Sequence, residues 1–189
     1  HDALPICLTG MRWGELVGLR VKDVNLERRR LWIRRNVVEV DGELVVNTPK
    51  SDKWRQVVYP AILDDDMRSL VDGRKPDDIL FEQPGSGFLR RTHGPKSSSS
   101  WFYWAKKHAD IDNELTVHDL RHTAASLMVR AGANVKAVQR QLGHASAAMT
   151  LDVYADLFDD DLDAVGEAVN AMLLENVGKM WAKETSEAA

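Results

Sequence analysis

The apolar positions near the start of the chain have the spacing of a helix, and those that follow have the spacing of strands. After a turn at Thr9-Gly10, the apolar residues of WGELVGL fit one face of a short amphipathic helix. From residue 31 to residue 59 the chain is rich in β-branched and aromatic residues. The pattern therefore predicts a short helix followed by a β-rich segment.

Residues 31–59 predict a three-stranded antiparallel meander. Asp41-Gly42 is a strong hairpin signal between LWIRRNVVEV and ELVVNTPK, and SDKW forms the turn before the third strand, RQVVYP. Lys50 lies beside that second turn, where a lysine side chain is normally in solvent. The basic run ERRR before the meander is typical of a solvated face, and it equally suits contact with phosphates.

The remainder of the chain has mostly helical spacing. AILDDDMRSLVDG fits an amphipathic helix ending at Gly73, and SWFYWAKKHAD fits a second helix whose aromatic residues suit core packing. Three further helices follow: one ending at Gly132, one running from an Asn134 cap to Gly143, and one beginning after a Ser146 cap. The predicted fold class is therefore mainly α with a small three-stranded antiparallel β-sheet (α+β).

The tail of the chain differs from the rest in charge. Residues 156–189 carry 2 Lys and Arg against 9 Asp and Glu, whereas residues 1–60 carry 11 against 8. The net charge of −4 therefore resides in the tail, and the neutral to basic body has room for a cationic cleft. The tail also predicts an amphipathic helix that needs a partner surface, with apolar residues Leu162, Val165, Val169, Met172 and Leu173.

Length and composition exclude several classes of protein. With 189 residues, the chain has the size of one domain with an appendage. No apolar run approaches the roughly 20 residues of a membrane helix, so no membrane partner is expected. The single Cys7 excludes an internal disulfide framework and fits a reducing, cytoplasmic location. No P-loop, HExxH motif or CxxC pair is present.

Four polar residues of the last third are difficult to explain by packing. His118 and Arg121 share one helix face at i and i+3, His144 follows a helix stop, and Tyr154 lies ten residues later on the next helix. Each residue alone is most often structural. Two short helices joined by a Gly-containing turn also fit a helix-turn-helix DNA-binding module, which stays open as an alternative.

Together with two upstream motifs, these residues resemble the tyrosine recombinase family, the phage integrases and their relatives, over about residues 4–158. The matching motifs are TGMRWGEL around Arg12, TPKS around Lys50, HDLRHTAAS around His118 and Arg121, LGHAS around His144, and Tyr154 beyond it. The resemblance implies a catalytic domain over residues 1–158, with a truncated first helix, and an acidic helical tail over residues 159–189.

The resemblance implies that DNA strands are cleaved and rejoined through a covalent 3′-phosphotyrosyl intermediate. Tyr154 is then the nucleophile, and Arg12, Arg121 and His144 stabilise the negative charge that develops on the phosphate. His118 either accepts the tyrosine proton or orients the phosphate. Lys50, which lies beside the second turn of the predicted meander, delivers a proton to the departing 5′-oxygen.

Three neighbours of these residues have supporting roles in this interpretation. Glu15 and Asp119 are expected to hold Arg12 and His118 in place, and His122 is expected to be a structural residue or a secondary phosphate contact. The implied chemistry needs no metal ion, no cofactor and no ATP, because the energy of the broken bond is kept in the protein–DNA link.

The resemblance also implies partners and a location. The expected substrate is double-stranded DNA at attachment sites, bound by a homotetramer of the full-length protein with accessory DNA-bending proteins. The family's N-terminal DNA-binding domains are expected to be missing from this chain, which alone should be a monomer or a weak dimer. The tail is expected to dock on a neighbouring subunit, to fold back or to pair with another copy. The expected location is the cytoplasm of a bacterial cell or phage-infected host.

Two alternatives to a recombinase stay open. The same covalent chemistry would serve a type IB topoisomerase-like enzyme that nicks and closes DNA, although the chain length and the LGH motif favour a recombinase. A non-catalytic helix-turn-helix module would use the basic segments. That alternative gives no role to Arg12 or Lys50, which lie far from the paired helices in sequence.

Overall fold

In the computed structural model, the described strands are short and antiparallel and lie in the first half of the chain, whereas the described second half is mostly helical. The structure describes residues 3–48, 54–83, 87–90, 101–111, 114–154, 166–167 and 169–174. The helices are α1 (Ala3–Thr9), α2 (Trp13–Val17), α3 (Asp64–Val71), α4 (Trp101–His108), α5 (Val117–Arg130), α6 (Val135–Leu142) and α7 (Ala147–Tyr154). The strands are β1 (Val24–Asn25), β2 (Arg30–Ile33), β3 (Asn36–Val40), β4 (Glu43–Asn47), β5 (Arg55–Val58), β6 (Glu82–Gln83) and β7 (Gly87–Phe88). The predicted fold class, mainly α with small antiparallel β-structure, is confirmed.

The strands form three small sheets instead of one meander. Strands β1, β2 and β5 make a three-stranded antiparallel sheet, β3 pairs with β4 in a second sheet, and β6 pairs with β7 in a third. The hairpin predicted at Asp41-Gly42 is confirmed, with Val40 opposite Glu43. The predicted meander is wrong, because β5 pairs with β2 and not with β4.

A buried carboxylate explains why the predicted first strand is divided into β2 and β3. The Asp23 side chain is fully buried, and a buried charge needs charged or hydrogen-bonding partners. Arg35 Nη1 lies 2.7 Å from Asp23 Oδ2, and Arg34 Nε lies 3.5 Å from Oδ1. These two arginines separate Ile33 from Asn36. Because they pair with Asp23, the strand is interrupted and β3 begins a new sheet.

The core lies between the inner face of the three-stranded sheet and the helices around it. Leu31 and Ile33 of β2 and Val57 of β5 are buried and alternate with more exposed residues, as in a sheet with one buried face. Buried helical residues pack with them, among them Ile6, Leu16, Leu63, Met67, Phe102 and Val117. Helix α1 packs mainly against α5, which brings the beginning of the chain to its last third.

Capping and one bridging side chain fix the position of α6. Asn134 caps its start, as predicted, and Gly143 ends it in the left-handed conformation with φ of 69°. The Gln141 amide group donates to Val58 O at 2.7 Å and to Thr9 O at 3.1 Å, and Gln141 Oε1 accepts from Val58 N at 3.0 Å. The end of α6 is thereby held against β5 and the end of α1.

Contacts divide the chain into two units, His1–Val153 and Tyr154–Ala189. In the second unit, residues 166–167 and 169–174 are helical, and the apolar side chains of Val169, Met172 and Leu173 are exposed. Leu162 and Val165 of the predicted tail helix lie outside the described residues. Of the helices described, none has both the length and the apolar character that crossing a membrane requires.

Candidate active site

The last carbonyl groups of α6 attract three arginines. A helix leaves its final carbonyl groups without partners inside the helix, and its dipole makes that end negative. The Leu142 carbonyl accepts hydrogen bonds from Arg121 Nη2 at 2.8 Å and from Arg55 Nη2 at 3.3 Å. The Gly143 carbonyl accepts one from Arg12 Nη2 at 3.3 Å. Side chains from three separate elements therefore meet at one helix end.

Arg121 is the most buried of these three arginines. It lies on the second turn of α5, and only 4% of it is exposed. Its Nη1 donates to the Gly10 carbonyl, 111 residues away in sequence. Gly10 has a φ of 71°, which favours glycine, and a Cβ there would lie 2.5 Å from the Leu142 side chain. The predicted Thr9-Gly10 turn thus presents a backbone acceptor to Arg121.

Arg12 lies at the start of α2 and contacts both a carboxylate and solvent. Its backbone N–H donates to Glu15 Oε2 at 2.9 Å, and its Nη1 donates to Glu15 Oε1 at 3.1 Å. The Glu15 side chain is 3% exposed, whereas that of Arg12 is 35% exposed. A buried acid therefore anchors an arginine whose outer part stays accessible.

Arg55 binds the same carboxylate more closely and was not among the predicted site residues. Its Nη1 and Nη2 lie 2.7 Å from Glu15 Oε1 and Oε2, a bidentate pair. Burial opposes the ionisation of Glu15, but the hydrogen bond and charge of Arg55, followed by those of Arg12, hold its pKa below the usual value. Arg55 and the buried Val57 are two residues apart in β5. This period of two is the sequence signal that would have marked Arg55 as facing inwards.

His144 directly follows the end of α6 and is neutral at pH 7. Its backbone N–H donates to Gln139 O at 3.1 Å, and the Gln139 side chain donates to His144 O at 3.1 Å. Its ring Nδ1 lies 2.9 Å from Thr150 Oγ1. Burial, followed by the positive charges of the three arginines, lowers the pKa of His144 to about 4. A neutral imidazole still provides one N–H donor.

A cleft of about 450 Å³ opens beside this group. Arg12, His118 and Arg121 contribute its basic side chains, and α2 with the β3–β4 hairpin contributes mostly apolar ones. The hairpin also contributes Glu39, whose carboxylate pairs with Arg90. His118 is exposed on the first turn of α5. Its ring meets that of His122 edge to face, with centroids 4.9 Å apart. The basic wall of this cleft suits an anionic group.

Asp119 fixes the first turn of α5, which carries His118. Its carboxylate accepts hydrogen bonds from Thr116 N at 2.8 Å and from Thr116 Oγ1 at 2.6 Å, and its own N–H donates to Thr116 Oγ1 at 3.3 Å. This is a reciprocal capping box. The hydrogen bonds from Thr116 are the main cause of the lowered pKa of Asp119. Asp119 therefore stabilises the helix turn that carries His118.

The structure brings four of the six predicted catalytic residues to one region: Arg12, His118, Arg121 and His144. Lys50 lies outside the described residues, in the segment 49–53 between β4 and β5. Tyr154 ends α7 and belongs to the second unit, and its side chain lies outside the described part of the chain. Within the residues described, no group of three or more His, Cys, Asp or Glu residues is arranged to hold a metal ion.

The arrangement suits stabilisation of a negatively charged oxygen. Three arginines and one ionised Glu15 leave a net charge of +2, and His144 adds a neutral donor. Guanidinium groups offer planar, paired donors that match phosphate oxygens. Donors that are fixed before the reaction stabilise developing charge without reorganisation.

Comparison with known proteins agrees with the motifs. The phage integrase family matches residues 5–160. The chain is 36% identical over 147 residues to the putative prophage phiRv2 integrase of Mycobacterium tuberculosis, covering 75% of this chain and 38% of that protein. It is 26% identical over 178 residues to the ICEBs1 integrase of Bacillus subtilis, covering 88% and 47%. The chain thus spans less than half the length of these curated relatives.

A solved structure shares the fold. The Tn1549 transposon integrase, in complex with circular intermediate DNA, matches with a TM-score of 0.69 at 22% identity, covering 87% of this chain and 59% of that chain. The resemblance indicated by the sequence motifs is confirmed by the family match over residues 5–160. This chain belongs to the phage integrase family.

Proposed function

We propose that this chain is the catalytic domain of a site-specific DNA recombinase, an integrase, that acts through a 3′-phosphotyrosyl link to Tyr154. The observation that carries the proposal is the meeting of Arg12, Arg121 and His144 at the end of α6, beside a basic cleft that His118 also lines. Membership of the phage integrase family supports it.

In the proposed reaction, Tyr154 attacks a phosphorus atom of the DNA backbone. A bond forms between the tyrosine oxygen and phosphorus, and the bond from phosphorus to the 5′-oxygen breaks. His118 accepts the tyrosine proton or orients the phosphate, and Lys50 donates a proton to the departing 5′-oxygen. Attack by a 5′-hydroxyl of another strand reverses these steps. Rejoining therefore needs no ATP.

The fixed cations perform the electrostatic part of this reaction. Arg12 and Arg121 donate to the non-bridging oxygens as their negative charge grows, and the neutral His144 is a third donor. Losing one such donor costs roughly 10² to 10³ in rate in other enzymes. Glu15 and Asp119 keep Arg12 and the start of α5 in place, and His122 supports the ring of His118.

The proposal extends to domain organisation and partners. Residues 1–158 form the catalytic domain, and residues 159–189 form a tail that docks on a neighbouring subunit, consistent with exposed Met172 and Leu173. The substrate is double-stranded DNA at attachment sites, bound in the cytoplasm by a tetramer of the full-length protein with accessory DNA-bending proteins. The Tn1549 integrase was solved in complex with DNA, which supports DNA as the substrate.

The test is the formation of a covalent protein–DNA adduct on a nicked attachment-site duplex, detected after denaturation. We expect the adduct with the wild-type protein and none with Tyr154→Phe, because phenylalanine lacks the attacking oxygen. Tyr103→Phe, which changes a tyrosine of α4, is the matched control and should form the adduct. Equal yields from the wild type and Tyr154→Phe, or no adduct from either, would contradict the proposal.

The same preparation separates the alternative functions. A recombinase yields recombinant products from two sites, whereas a type IB topoisomerase-like enzyme only relaxes supercoiled DNA. A helix-turn-helix module binds DNA and forms no adduct. Similarity to integrases over most of the chain favours recombinant products.

A further inference from the structure

We infer that Arg55 is a positioning residue of the proposed active site, and that it fixes both Arg12 and the turn carrying His144. The inference rests on the proposed function and concerns a residue outside the motifs that indicated the family. Its basis is a set of contacts that join β5 to α2 and to the end of α6.

Arg55 uses one guanidinium group to hold two elements. Its Nη1 and Nη2 each lie 2.7 Å from one oxygen of Glu15, and Nη2 also donates to the Leu142 carbonyl at 3.3 Å. The same carbonyl accepts from Arg121 at 2.8 Å. The Arg55 side chain is 16% exposed. Bidentate pairing with a buried acid defines the orientation of both groups.

Arg55 also determines how much of the Arg12 charge is available to a substrate. Glu15 carries one negative charge, and its contacts with Arg55 are shorter than its 3.1 Å contact with Arg12 Nη1. Arg55 therefore balances most of the carboxylate charge. Arg12 keeps its position next to Glu15 while its positive charge remains available in the cleft.

The turn before His144 packs directly on Arg55. A Cβ added to Gly143 would lie 2.7 Å from Arg55 Cζ and Nε, closer than a side chain tolerates. The left-handed φ of 69° at Gly143 directs the chain from α6 into His144. From one strand, Arg55 thus reaches the acid that anchors Arg12 and the peptide that precedes His144.

The first test measures the single-turnover rate of adduct formation and, separately, the affinity for DNA. For Arg55→Gln we expect a loss of about 10²-fold in rate, because displaced donors no longer match the transition state. The dissociation constant for DNA should change by less than about threefold, since Arg55 contributes through Arg12 and His144 rather than through ground-state binding. Arg55→Lys, which keeps the charge without the bidentate geometry, should recover part of the rate.

Arg74→Gln is the matched control, because Arg74 is another partly buried arginine that donates to two backbone carbonyl groups, those of Leu70 and Leu80, away from the cleft. It should retain the wild-type rate. In the double variant Arg55→Gln with Glu15→Gln, the loss in rate should be smaller than the product of the two single losses, because part of the effect of Arg55 passes through Glu15. An additive loss in the double variant would overturn the inference.

The pH dependence distinguishes positioning from simple support of the fold. Because burial opposes the ionisation of Glu15, loss of Arg55 raises the pKa of Glu15. The rate of Arg55→Gln should then fall as the pH is lowered through that raised pKa, at pH values where Glu15 in the wild type is still ionised. The Glu15 titration is measured directly from its carboxyl ¹³C chemical shift in the protein without DNA.

The outcomes separate the inference from the proposed function. If the wild type forms no adduct, the proposed function fails, and the ¹³C titration still decides whether Arg55 governs Glu15. An unchanged Glu15 titration in Arg55→Gln, or a wild-type rate and pH profile, overturns the inference. If Arg55→Gln does not fold, Arg55→Lys takes its place, and a wild-type rate with that variant overturns the inference equally.

Discussion

Two buried carboxylates among the described residues are each held by two arginines, and the cluster of Glu15 contributes an arginine to the cleft. Glu15 binds Arg12 and Arg55, and Asp23 binds Arg34 and Arg35. Both acids are at most 3% exposed, and the outer arginines, Arg12 and Arg34, are 35% and 36% exposed. Burial and composition alone therefore do not distinguish a candidate catalytic cluster from a structural one.

The two clusters differ in how completely the acid is paired. Both oxygens of Glu15 accept short hydrogen bonds. Asp23 Oδ2 accepts from Arg35 and from the Arg20 backbone, whereas Oδ1 has no hydrogen-bond partner among the described residues. A fully paired carboxylate orients its partners more strictly, so Glu15 is the better anchor.

The surroundings of the outer arginine make the larger difference. The Arg34 guanidinium carbon lies 5.3 Å and 5.2 Å from the ring centroids of Trp32 and Trp54, so both indoles are within cation–π distance of it. Arg12 instead lines a cleft together with Arg121 and His118. A buried acid that binds two arginines therefore stabilises the fold in both clusters. The groups beside the outer arginine determine whether the cluster can take part in a reaction.

The largest expected effect comes from removing each outer arginine. Arg12→Ala should lower the rate of adduct formation by about 10³-fold, because it deletes a transition-state donor. Arg34→Ala should leave the rate unchanged. The measurement is single-turnover cleavage of a nicked site at saturating protein. Equal losses in the two variants would indicate that both clusters serve the fold alone.

The second effect concerns stability and is expected at the other cluster. Asp23→Asn removes the charge that holds Arg34 and Arg35 and should lower the free energy of unfolding by about 2 to 3 kcal/mol. The rate of adduct formation by the folded protein should be unaffected. Urea unfolding monitored by circular dichroism measures the first quantity. A variant of full stability that has lost cleavage would place Asp23 in the catalytic group.

Substitutions at a matched pair of glycines test the role of Arg55. Gly132 and Gly143 both have positive φ after a helix, at 77° and 69°. Alanine at Gly132 meets nothing within 4 Å, whereas alanine at Gly143 approaches Arg55 to 2.7 Å. Gly132→Ala should cost about 1 kcal/mol of backbone strain. Gly143→Ala should cost about 2 kcal/mol by adding the displacement of Arg55, and it alone should also slow adduct formation.

The smallest expected effect is the pH dependence that His144 contributes to stability. Its pKa is about 4 in the folded protein against 6.5 ordinarily, so the unfolded state binds the extra proton between these values. The contribution is fully present above pH 6.5 and is lost as the pH falls through 4. It amounts to about 1 to 2 kcal/mol once solvent screening of the partly exposed ring is allowed for.

This pH dependence is measured as the unfolding free energy at pH 7 and at pH 4.5. His144→Gln, which does not titrate, should show a smaller difference than the wild type. His108→Gln, at an exposed histidine of α4, should keep the wild-type difference. Identical behaviour of all three proteins would mean that burial and the nearby arginines do not lower the pKa of His144.

Local signals in the sequence predicted most of the elements. The Asp41-Gly42 hairpin, the Asn134 cap and the Ser146 cap of α7 are each determined by a few neighbouring residues, and the structure contains all three. The division of the first strand could not be predicted, because it depends on a buried charge at Asp23 that pairs across the fold. The period of two in β5 marks Arg55 as facing inwards, but its partner Glu15 could not be predicted, since it lies 40 residues away.

For the predicted site residues, the sequence indicated which residues act together but not where in the fold they meet. Arg12, Arg121 and His144 belong to short motifs, and the sequence predicted that they would act together. That they would meet at the end of α6 could not be predicted, because backbone carbonyl groups bring them together and carry no sequence signature. The proposed roles of Lys50 and Tyr154 still depend on the motifs alone.

The hydrogen bond between Arg121 and Gly10 has a consequence for biosynthesis. It joins positions 111 residues apart, and contacts of such long range form late, after the intervening chain has been made. A chain still on the ribosome, or one cut short before α6, contains Arg12 but lacks the carbonyl groups on which the arginines converge. Incomplete chains therefore cannot assemble the proposed site, and its formation depends on synthesis of the chain through α6.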